Sequence, residues 1–136
     1  MATPNQPGAA RSATRLTLEQ QRAADAWNCA QGKGSEYVNL AKGLPALIIN
    51  SGVLQVLAFL NEKGKKESQK HCAVLGEQLR NWLSKRFGTD LPADFPGFMN
   101  ALMNSDSRKF QAITIESLAW LRWVRQIAPA ISVEEH

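Results

Sequence analysis

The fold is decided by one stretch, Tyr37-Val-Asn-Leu-Ala-Lys-Gly-Leu-Pro-Ala-Leu-Ile-Ile-Asn-Ser-Gly-Val-Leu-Gln-Val-Leu-Ala-Phe-Leu60. It is almost wholly apolar, and its first half keeps the spacing of an α-helix. The residues that keep this period are Tyr37, Leu40, Ala41, Leu44, Leu47 and Ile48. The pattern predicts buried helix, bent at Pro45 and interrupted at Asn50-Ser51-Gly52.

The proline allows two arrangements of this stretch. In the first, one helix runs from Ser35 to about Asn50 with a kink at Pro45, because proline removes a backbone hydrogen bond and crowds the preceding turn. In the second, Gly43 ends one helix and Pro45 opens the next. The sequence leaves both open. After the glycine, Val53 to Glu62 is predicted to form a short buried helix closed by Gly64.

Four more helices are predicted around this centre. The first begins at Thr17, which forms a capping box with Gln20. A clearly amphipathic helix runs from about Lys66 to Phe87, followed by a loop with two prolines. A short helix covers Phe98 to Asn104, and Asp106 caps a last helix from roughly Ser107 to Ala128, ended by Pro129. No segment alternates as a strand would, so the predicted fold is all-α, a compact bundle of about six helices.

Two helices have well-defined predicted core stripes. The stripe of the first helix consists of Leu16, Ala23, Ala26, Trp27 and Ala30. The stripe of the long amphipathic helix consists of Cys72, Leu75, Leu79, Trp82 and Leu83. The alanines of the first helix should allow another helix to approach closely.

The chain length of 136 residues indicates one domain. We expect a flexible arm at residues 1–14, which are rich in Pro, Gly, Ala and Ser, a single helical domain at 15–128, and a loose tail at 129–136. No signal peptide is evident, and two cysteines are too few for a disulfide scaffold. The apolar stretch from Leu44 to Leu60 is shorter than the roughly 20 residues of a membrane span and contains polar residues. These features indicate a cytoplasmic protein without a membrane partner.

The residues contain no evident catalytic constellation. Only two histidines occur, and His71 has no metal ligand at suitable spacing except the adjacent Cys72, which points about 100° away on a helix. Cys29 and Cys72 are interpreted as small buried hydrophobic residues. We therefore predict no catalytic residues, no metal, no cofactor and no small-molecule substrate.

The charge pattern is the clearest chemical signal. The net charge is +4, and Asn61 to Arg86 holds seven Lys or Arg against three Glu. The cluster Lys63, Lys65, Lys66 and Lys70 could bind a phosphate backbone by releasing counterions. It could equally be an ordinary solvated surface in which Glu62 and Glu67 are the partners.

Trp123 is a second anomaly. It lies opposite Leu121 on the last helix, on a second face shared with Glu116. Either this helix is covered on two sides, or Trp123 is an aromatic anchor for a partner protein.

Taken together, these segments resemble the small all-helical subunit of the type III-B (Cmr, RAMP-module) CRISPR effector complex. The matching residues are Arg22, Ala26, Tyr37, Leu40, Ala41, Leu44, Pro45, Asn50-Ser51-Gly52, Gln55, Leu57, Ala58, Phe59, Trp82, Leu83, Thr114, Glu116, Ser117, Leu118, Trp120, Leu121, Trp123, Arg125 and Ala128. They extend over nearly the whole domain. One departure is Ser51-Gly52-Val53, where the family pattern is expected to have a second asparagine or a leucine after the glycine.

The resemblance implies a non-enzymatic subunit that stacks into a filament and lines the groove of the guide–target RNA duplex. Its implied partners are other Cmr complex subunits, copies of itself, the guide RNA and the target RNA backbone. The residues expected to face RNA are Arg22, which matches a family position, and, on charge alone, Lys42, Lys63, Lys65, Lys66 and Lys70. Glu116 and Trp123 are expected near a protein contact.

A rival interpretation is a helix-turn-helix-like DNA-binding regulator, which is supported by six helices, basic charge and a glycine-bearing turn. A recognition helix must present polar side chains to base edges. The helix after Asn50-Ser51-Gly52 is apolar instead.

Overall fold

The computed structural model describes residues 15–133, so the arm predicted at residues 1–14 and residues 134–136 of the tail lie outside it. Six α-helices follow one another along this part of the chain: α1 (Leu18–Ala30), α2 (Ser35–Ser51), α3 (Val53–Lys63), α4 (Lys70–Phe87), α5 (Phe95–Met103) and α6 (Ser107–Ala130). Short 3₁₀ turns occur at Glu67–Gln69 and Gly88–Asp90, and residues 15–133 include no strand. The predicted all-α bundle of six helices is confirmed.

Two helix starts are fixed by the side chains that the sequence indicated. The Thr17 hydroxyl accepts a hydrogen bond from the Gln20 backbone N–H at 3.1 Å, and the Thr17 N–H donates to the Gln20 side-chain oxygen at 2.8 Å. At α6, an Asp106 carboxylate oxygen accepts from the Lys109 N–H at 2.8 Å. Each such cap is typically worth about 1 kcal/mol.

The central stretch forms two helices that meet at Gly52. Helix α2 continues through Pro45 to Ser51, so the first of the two predicted arrangements is confirmed. Gly52 then has φ 87° and ψ 155°, a conformation that is essentially restricted to glycine, and its N–H donates to the Ile48 carbonyl at 2.8 Å. Helix α3 begins at the next residue, so α2 and α3 are joined with no intervening loop.

Three helix boundaries differ from the predicted ones. Helix α4 begins at Lys70 rather than Lys66, because Glu67–Gln69 form a 3₁₀ turn. Helix α5 begins at Phe95, three residues early, because Asp94 caps it by accepting from the Gly97 N–H at 2.9 Å. Helix α6 continues through Pro129 to Ala130. Beyond it, the Val133 N–H donates to the Lys33 carbonyl at 3.0 Å.

Helix α6 is the centre of the packing, because it contacts α1 and α2 extensively and also touches α4. The predicted stripe of α4 is confirmed, since all five of its residues are buried. The predicted stripe of α1 is only partly right. Ala26 and Ala30 are fully buried against the core, whereas Leu16 and Trp27 are 49% and 50% exposed. No described helix has the length and apolarity that crossing a membrane would require.

Candidate nucleic-acid interface

Four of the predicted RNA-facing residues lie together where α3 passes into α4. We call Lys63, Lys65, Lys66 and Lys70 the junction lysines, and all four are exposed. Lys65 forms a 3.3 Å ion pair with Glu62, and both side chains are so exposed that the pair is worth under about 1 kcal/mol. The other three have no carboxylate partner among residues 15–133. The junction lysines therefore remain available to an anion.

A groove of about 450 Å³ lies beside the junction lysines, between α2, α3 and the start of α4. Leu40, Leu47 and Phe59 form its apolar part, and Lys63 stands at its edge with its Nζ 5.3 Å from the centre of the Phe59 ring. Phe59 is 46% exposed. An exposed aromatic ring beside ammonium groups is a chemical setting suited to nucleic acid.

Lys42 lies apart from this groove, on the outward surface of α2. It is exposed and has no ion pair with any other described residue. The next residue, Gly43, lines the groove instead and has open space where a side chain would project. A polymer in the groove could therefore approach the α2 backbone closely.

Arg22 and Glu116 were expected on two different surfaces, and the structure joins them to each other. The Arg22 guanidinium donates from Nε and Nη2 to the two Glu116 oxygens at 2.8 and 2.7 Å. Trp82 Nε1 also donates to Glu116 at 2.9 Å, and Arg86 Nε lies 3.7 Å from it. The Arg22 and Glu116 side chains are only 13% and 5% exposed.

The electrostatics of this cluster favour an ionised carboxylate. Burial raises the pKa of Glu116, but the hydrogen bonds from Arg22 and Trp82 and the nearby Arg86 charge outweigh it, so the pKa is lowered overall. The cluster ties α1, α4 and α6 together. Contact of Arg22 with RNA, or of Glu116 with a partner protein, stays a prediction, and an outside group would have to compete with this internal pair.

Trp123 lies on the α1 side of α6. Its ring is partly buried against the core, and its Nε1 donates to Glu19 of α1. Because α6 is covered by α1 on one side and by α2 on another, the packing supports the interpretation of a helix covered on two sides. A contact between Trp123 and a partner protein stays a prediction.

The predicted set of RNA-facing residues left out the arginines of α6, although Arg125 is among the residues that carry the family resemblance. Arg122 and Arg125 are exposed and flank a cleft of about 230 Å³ that is also lined by Pro45, Ile49 and Leu118. Counting the net charge of each segment does not reveal these arginines, because acidic residues near the end of the sequence nearly cancel the positive charge of the last segment. A helical wheel would have revealed them, since the two arginines are three positions apart and therefore lie on one face of the helix.

The two cysteines have the properties of structural residues. Burial, the neighbouring Asp25 charge and its hydrogen bond raise the pKa of Cys29 to about 12. Burial also raises the pKa of Cys72. Both thiols are thus protonated at neutral pH, whereas nucleophilic cysteines are thiolates. Within residues 15–133, no three His, Cys, Asp or Glu side chains are grouped so that they could hold a metal ion.

Two comparisons relate the chain to known proteins. Residues 18–131, which include all six helices, match the family model described as "CRISPR-associated protein (Cas_Cmr5)". The chain is also 32% identical over 107 residues to a protein of Thermus thermophilus named "CRISPR system Cmr subunit Cmr5". The aligned part covers 78% of this chain and 83% of that relative.

Proposed function

Because the chain belongs to the Cas_Cmr5 family of CRISPR-associated proteins, we propose that it is a small non-catalytic subunit of a cytoplasmic, RNA-guided Cmr effector complex. The observation that carries this proposal is the family match over all six helices, together with the relative's name as a Cmr subunit. Its partners would be the other Cmr subunits, copies of itself, and the guide and target RNA.

The non-catalytic role is supported by the chemistry of the candidate groups. The thiols are held protonated, and the most strongly engaged carboxylate, Glu116, is held by two hydrogen bonds from Arg22 and one from Trp82 inside the bundle. A group that is buried and fully hydrogen-bonded in this way has little freedom to act on a substrate. The exposed surface provides positive charge and grooves for binding rather than groups for catalysis.

The RNA role assigned to the chain is backbone contact. The junction lysines and Lys42 would face the phosphates of the guide–target duplex, and base pairing with the guide would read the sequence. Three of the four junction lysines and Lys42 have no carboxylate partner among the described residues, which supports this assignment. Such contacts give affinity that is independent of sequence and falls steeply with salt.

The assembly role is head-to-tail stacking on further copies. A contact between two different surfaces of the same protein, repeated without closure, builds a helical array. Large apolar side chains are exposed on two helices that do not pack extensively against each other, Trp27 on α1 and Met103 at the end of α5. Their exposure is consistent with two different contact surfaces per copy. A filament of this kind could extend along the guide–target duplex.

The DNA-regulator alternative is not proposed. The helix that follows the Gly52 turn is α3, and Val53, Val56, Leu57 and Leu60 are all buried in the core. A helix oriented in this way cannot present most of its length to base edges in a groove.

A tagged pull-down from native cells, analysed by mass spectrometry and RNA sequencing, tests membership in the complex. Recovery of other Cmr proteins with a guide RNA is expected. Recovery of the protein alone, or with a DNA fragment, would overturn the proposal.

The RNA surface is tested in a complex reconstituted from its proteins, a guide and a target RNA. The K66E/K70E variant should bind target RNA more weakly, and its salt slope should fall by about 0.9 for each phosphate that the lysines no longer neutralise. The control is Arg15→Glu, a charge reversal at an exposed residue outside the proposed surface. Unchanged affinity and slope in K66E/K70E would reject the junction lysines as RNA-binding residues.

A further inference from the structure

The outward face of α6 is positively charged and free of carboxylates. Residues at helical spacing form this face: Arg108, Gln111, Ile115, Leu118, Arg122 and Arg125. The only acidic residue of α6 is Glu116, and its carboxylate is held inside the bundle by Arg22. The arginines of this face are therefore not neutralised from their own helix.

The cleft between α6 and α2 combines charge with an apolar lining. Pro45, Ile49 and Leu118 supply the apolar part, and Ile49 is 71% exposed although it is large and hydrophobic. Among residues 15–133, neither the Arg122 nor the Arg125 guanidinium has a hydrogen-bond or ion-pair partner. Their N–H donors are available to a ligand that also covers Ile49.

We propose that this cleft seats one nucleotide of a single-stranded RNA segment, with its phosphate on Arg122 and Arg125 and its base against Ile49. The guanidinium group is planar and can donate two parallel hydrogen bonds to a phosphate. Apolar side chains accept the face of an unstacked base. A duplex exposes its phosphates but hides its base faces, so it could use the arginines without using the apolar lining.

Charge indicates a nucleic acid rather than an acidic protein as the occupant. Lys42 lies seven residues before Ile49 and therefore on the same flank of α2. Lys42, Arg122 and Arg125 are thus three exposed cations on the two helices that form the cleft, and none of them has a carboxylate partner in the described part of the chain. Extended cationic surfaces of this kind follow a phosphate backbone.

The cleft is distinct from the groove beside the junction lysines. The groove is lined by Leu47 and the cleft by Ile49, two residues that point about 200° apart around α2. The inference rests on the proposed RNA-binding function, but it concerns a different surface and a different form of RNA. The two can therefore fail separately.

The test measures binding of the full-length chain to fluorescent RNA by anisotropy over a salt series. The probes are a 15-nucleotide single strand, the same strand with one central abasic position, and a blunt duplex of equal length. Variant R122Q/R125Q should bind the single strand more weakly, and its salt slope should fall by about 0.7, the value expected for one phosphate of a single strand. Variant R15Q/K85Q removes two exposed cations that lie outside both α6 and the cleft, and it serves as the control.

The apolar contact has its own matched pair of variants. Ile49→Asn should weaken binding of the intact single strand several-fold while leaving duplex binding unchanged, because it removes the apolar contact without adding a charge beside the arginines. Ile115→Asn alters an isoleucine that is similarly exposed, at 66%, but does not line the cleft, so it should have little effect. The parent protein should bind the abasic strand more weakly than the intact strand, and the substitution of Ile49 should reduce affinity for the abasic strand by a smaller factor. Because all of these side chains are exposed, the thermal midpoint of each variant should stay near that of the parent.

Several outcomes would overturn the inference. One is an unchanged affinity and slope in R122Q/R125Q, and another is an equal loss from Ile49→Asn and Ile115→Asn. If R122Q/R125Q instead binds RNA normally but fails to assemble with other Cmr proteins, the cleft is a protein contact. If K66E/K70E weakens duplex binding while the cleft variants do nothing, the proposed function stands and this inference falls.

Discussion

Replacing Glu116 with glutamine should destabilise the protein strongly. The change keeps the size of the side chain but removes the negative charge between Arg22 and Arg86. An amide cannot accept the bidentate pair of hydrogen bonds that Arg22 now donates at 2.8 and 2.7 Å, because one of its two heavy atoms is itself a donor. The Arg22 guanidinium would then remain in a site that is only 13% exposed, with at most one hydrogen bond to the amide oxygen and with Glu19, at 3.4 Å, as its only carboxylate partner among residues 15–133.

The magnitude follows from the burial of the pair. Removing one partner of a buried ion pair typically costs about 3 to 5 kcal/mol, because the other charge is left uncompensated. Because Arg22 keeps its contact with Glu19 and remains partly exposed to solvent, we expect a loss of unfolding free energy at the low end of this range, about 3 kcal/mol. For a domain of this size, that corresponds to a fall in the thermal midpoint of roughly 10 °C. Urea unfolding followed by tryptophan fluorescence and by circular dichroism would measure it.

The pH dependence gives an independent readout of the same group. The native pKa of Glu116 is lowered from its ordinary value of 4.5, so the folded state favours the ionised form. Its stabilising contribution is therefore fully present above pH 4.5 and is lost as the pH falls through the lower native pKa. The parent protein should lose stability over that acidic range, and Glu116→Gln should lose less there because the titrating group is absent.

A second variant distinguishes loss of the pair from a general packing defect. In Arg22→Met with Glu116→Leu, both charges are replaced by apolar groups, which is often nearly neutral for a buried pair. Trp82 Nε1 loses its acceptor in that variant, so we expect a stability between those of the parent and of Glu116→Gln. A free energy of unfolding for Glu116→Gln within about 0.5 kcal/mol of the parent would refute this account of the cluster.

Three further predictions concern backbone and thiol sites. Gly52→Ala should lower the free energy of unfolding by about 1 to 3 kcal/mol in chemical denaturation, because φ 87° with ψ 155° is strained for any residue with a side chain. The control Gly43→Ala should be neutral or stabilising, since its new methyl group meets open space within α2. Equal effects of the two substitutions would contradict the argument. Gly64→Ala should fail to fold stably, because its Cβ would lie 2.5 Å from the Ala73 backbone nitrogen, and a native-like melting curve would exclude that close approach. Cys29 should react with a thiol reagent at pH 8 far more slowly than a free cysteine, because its pKa is raised to about 12, and reaction at the free rate would disprove this.

The elements that depend on local chemistry were predictable from the sequence. The Thr17 and Asp106 caps each involve side chains and N–H groups three residues apart, so a short window contains all the needed information. The buried stripe of α4 was equally accessible, because one amphipathic face dominates that helix. The break at Gly52 was predicted from its residue types alone, although its left-handed φ became visible only in the structure.

The errors concern packing between helices. Trp27 fits the apolar period of α1, and periodicity alone gives no reason to exclude it from the core. In the folded protein α1 packs against α6, and the fully buried residues of α1 are Ala26 and Ala30. Trp27 stays half exposed. Only knowledge of which helix packs on α1 could have shown this.

The candidate site was harder to predict, because charge counting treats every charged residue as if it faced solvent. Arg22 and Glu116 are 94 positions apart, and no local pattern connects them. Their pairing engages one of the cations that were expected on the RNA surface. The pairing also holds the only carboxylate of α6, that of Glu116, inside the bundle, so the outward face of that helix is more basic than its composition suggests.

Stability and RNA binding should be separable in this protein, because they depend on opposite sides of one helix. The Glu116 carboxylate contributes to stability from inside the bundle, and the charges of Arg122 and Arg125 act from the outward side of α6. Glu116→Gln should therefore lower the free energy of unfolding without changing RNA affinity at temperatures where the variant is still folded. R122Q/R125Q should do the reverse. If both variants changed both properties, the two sides of α6 would be coupled, and the division between an internal ion pair and an external cationic face would have to be abandoned.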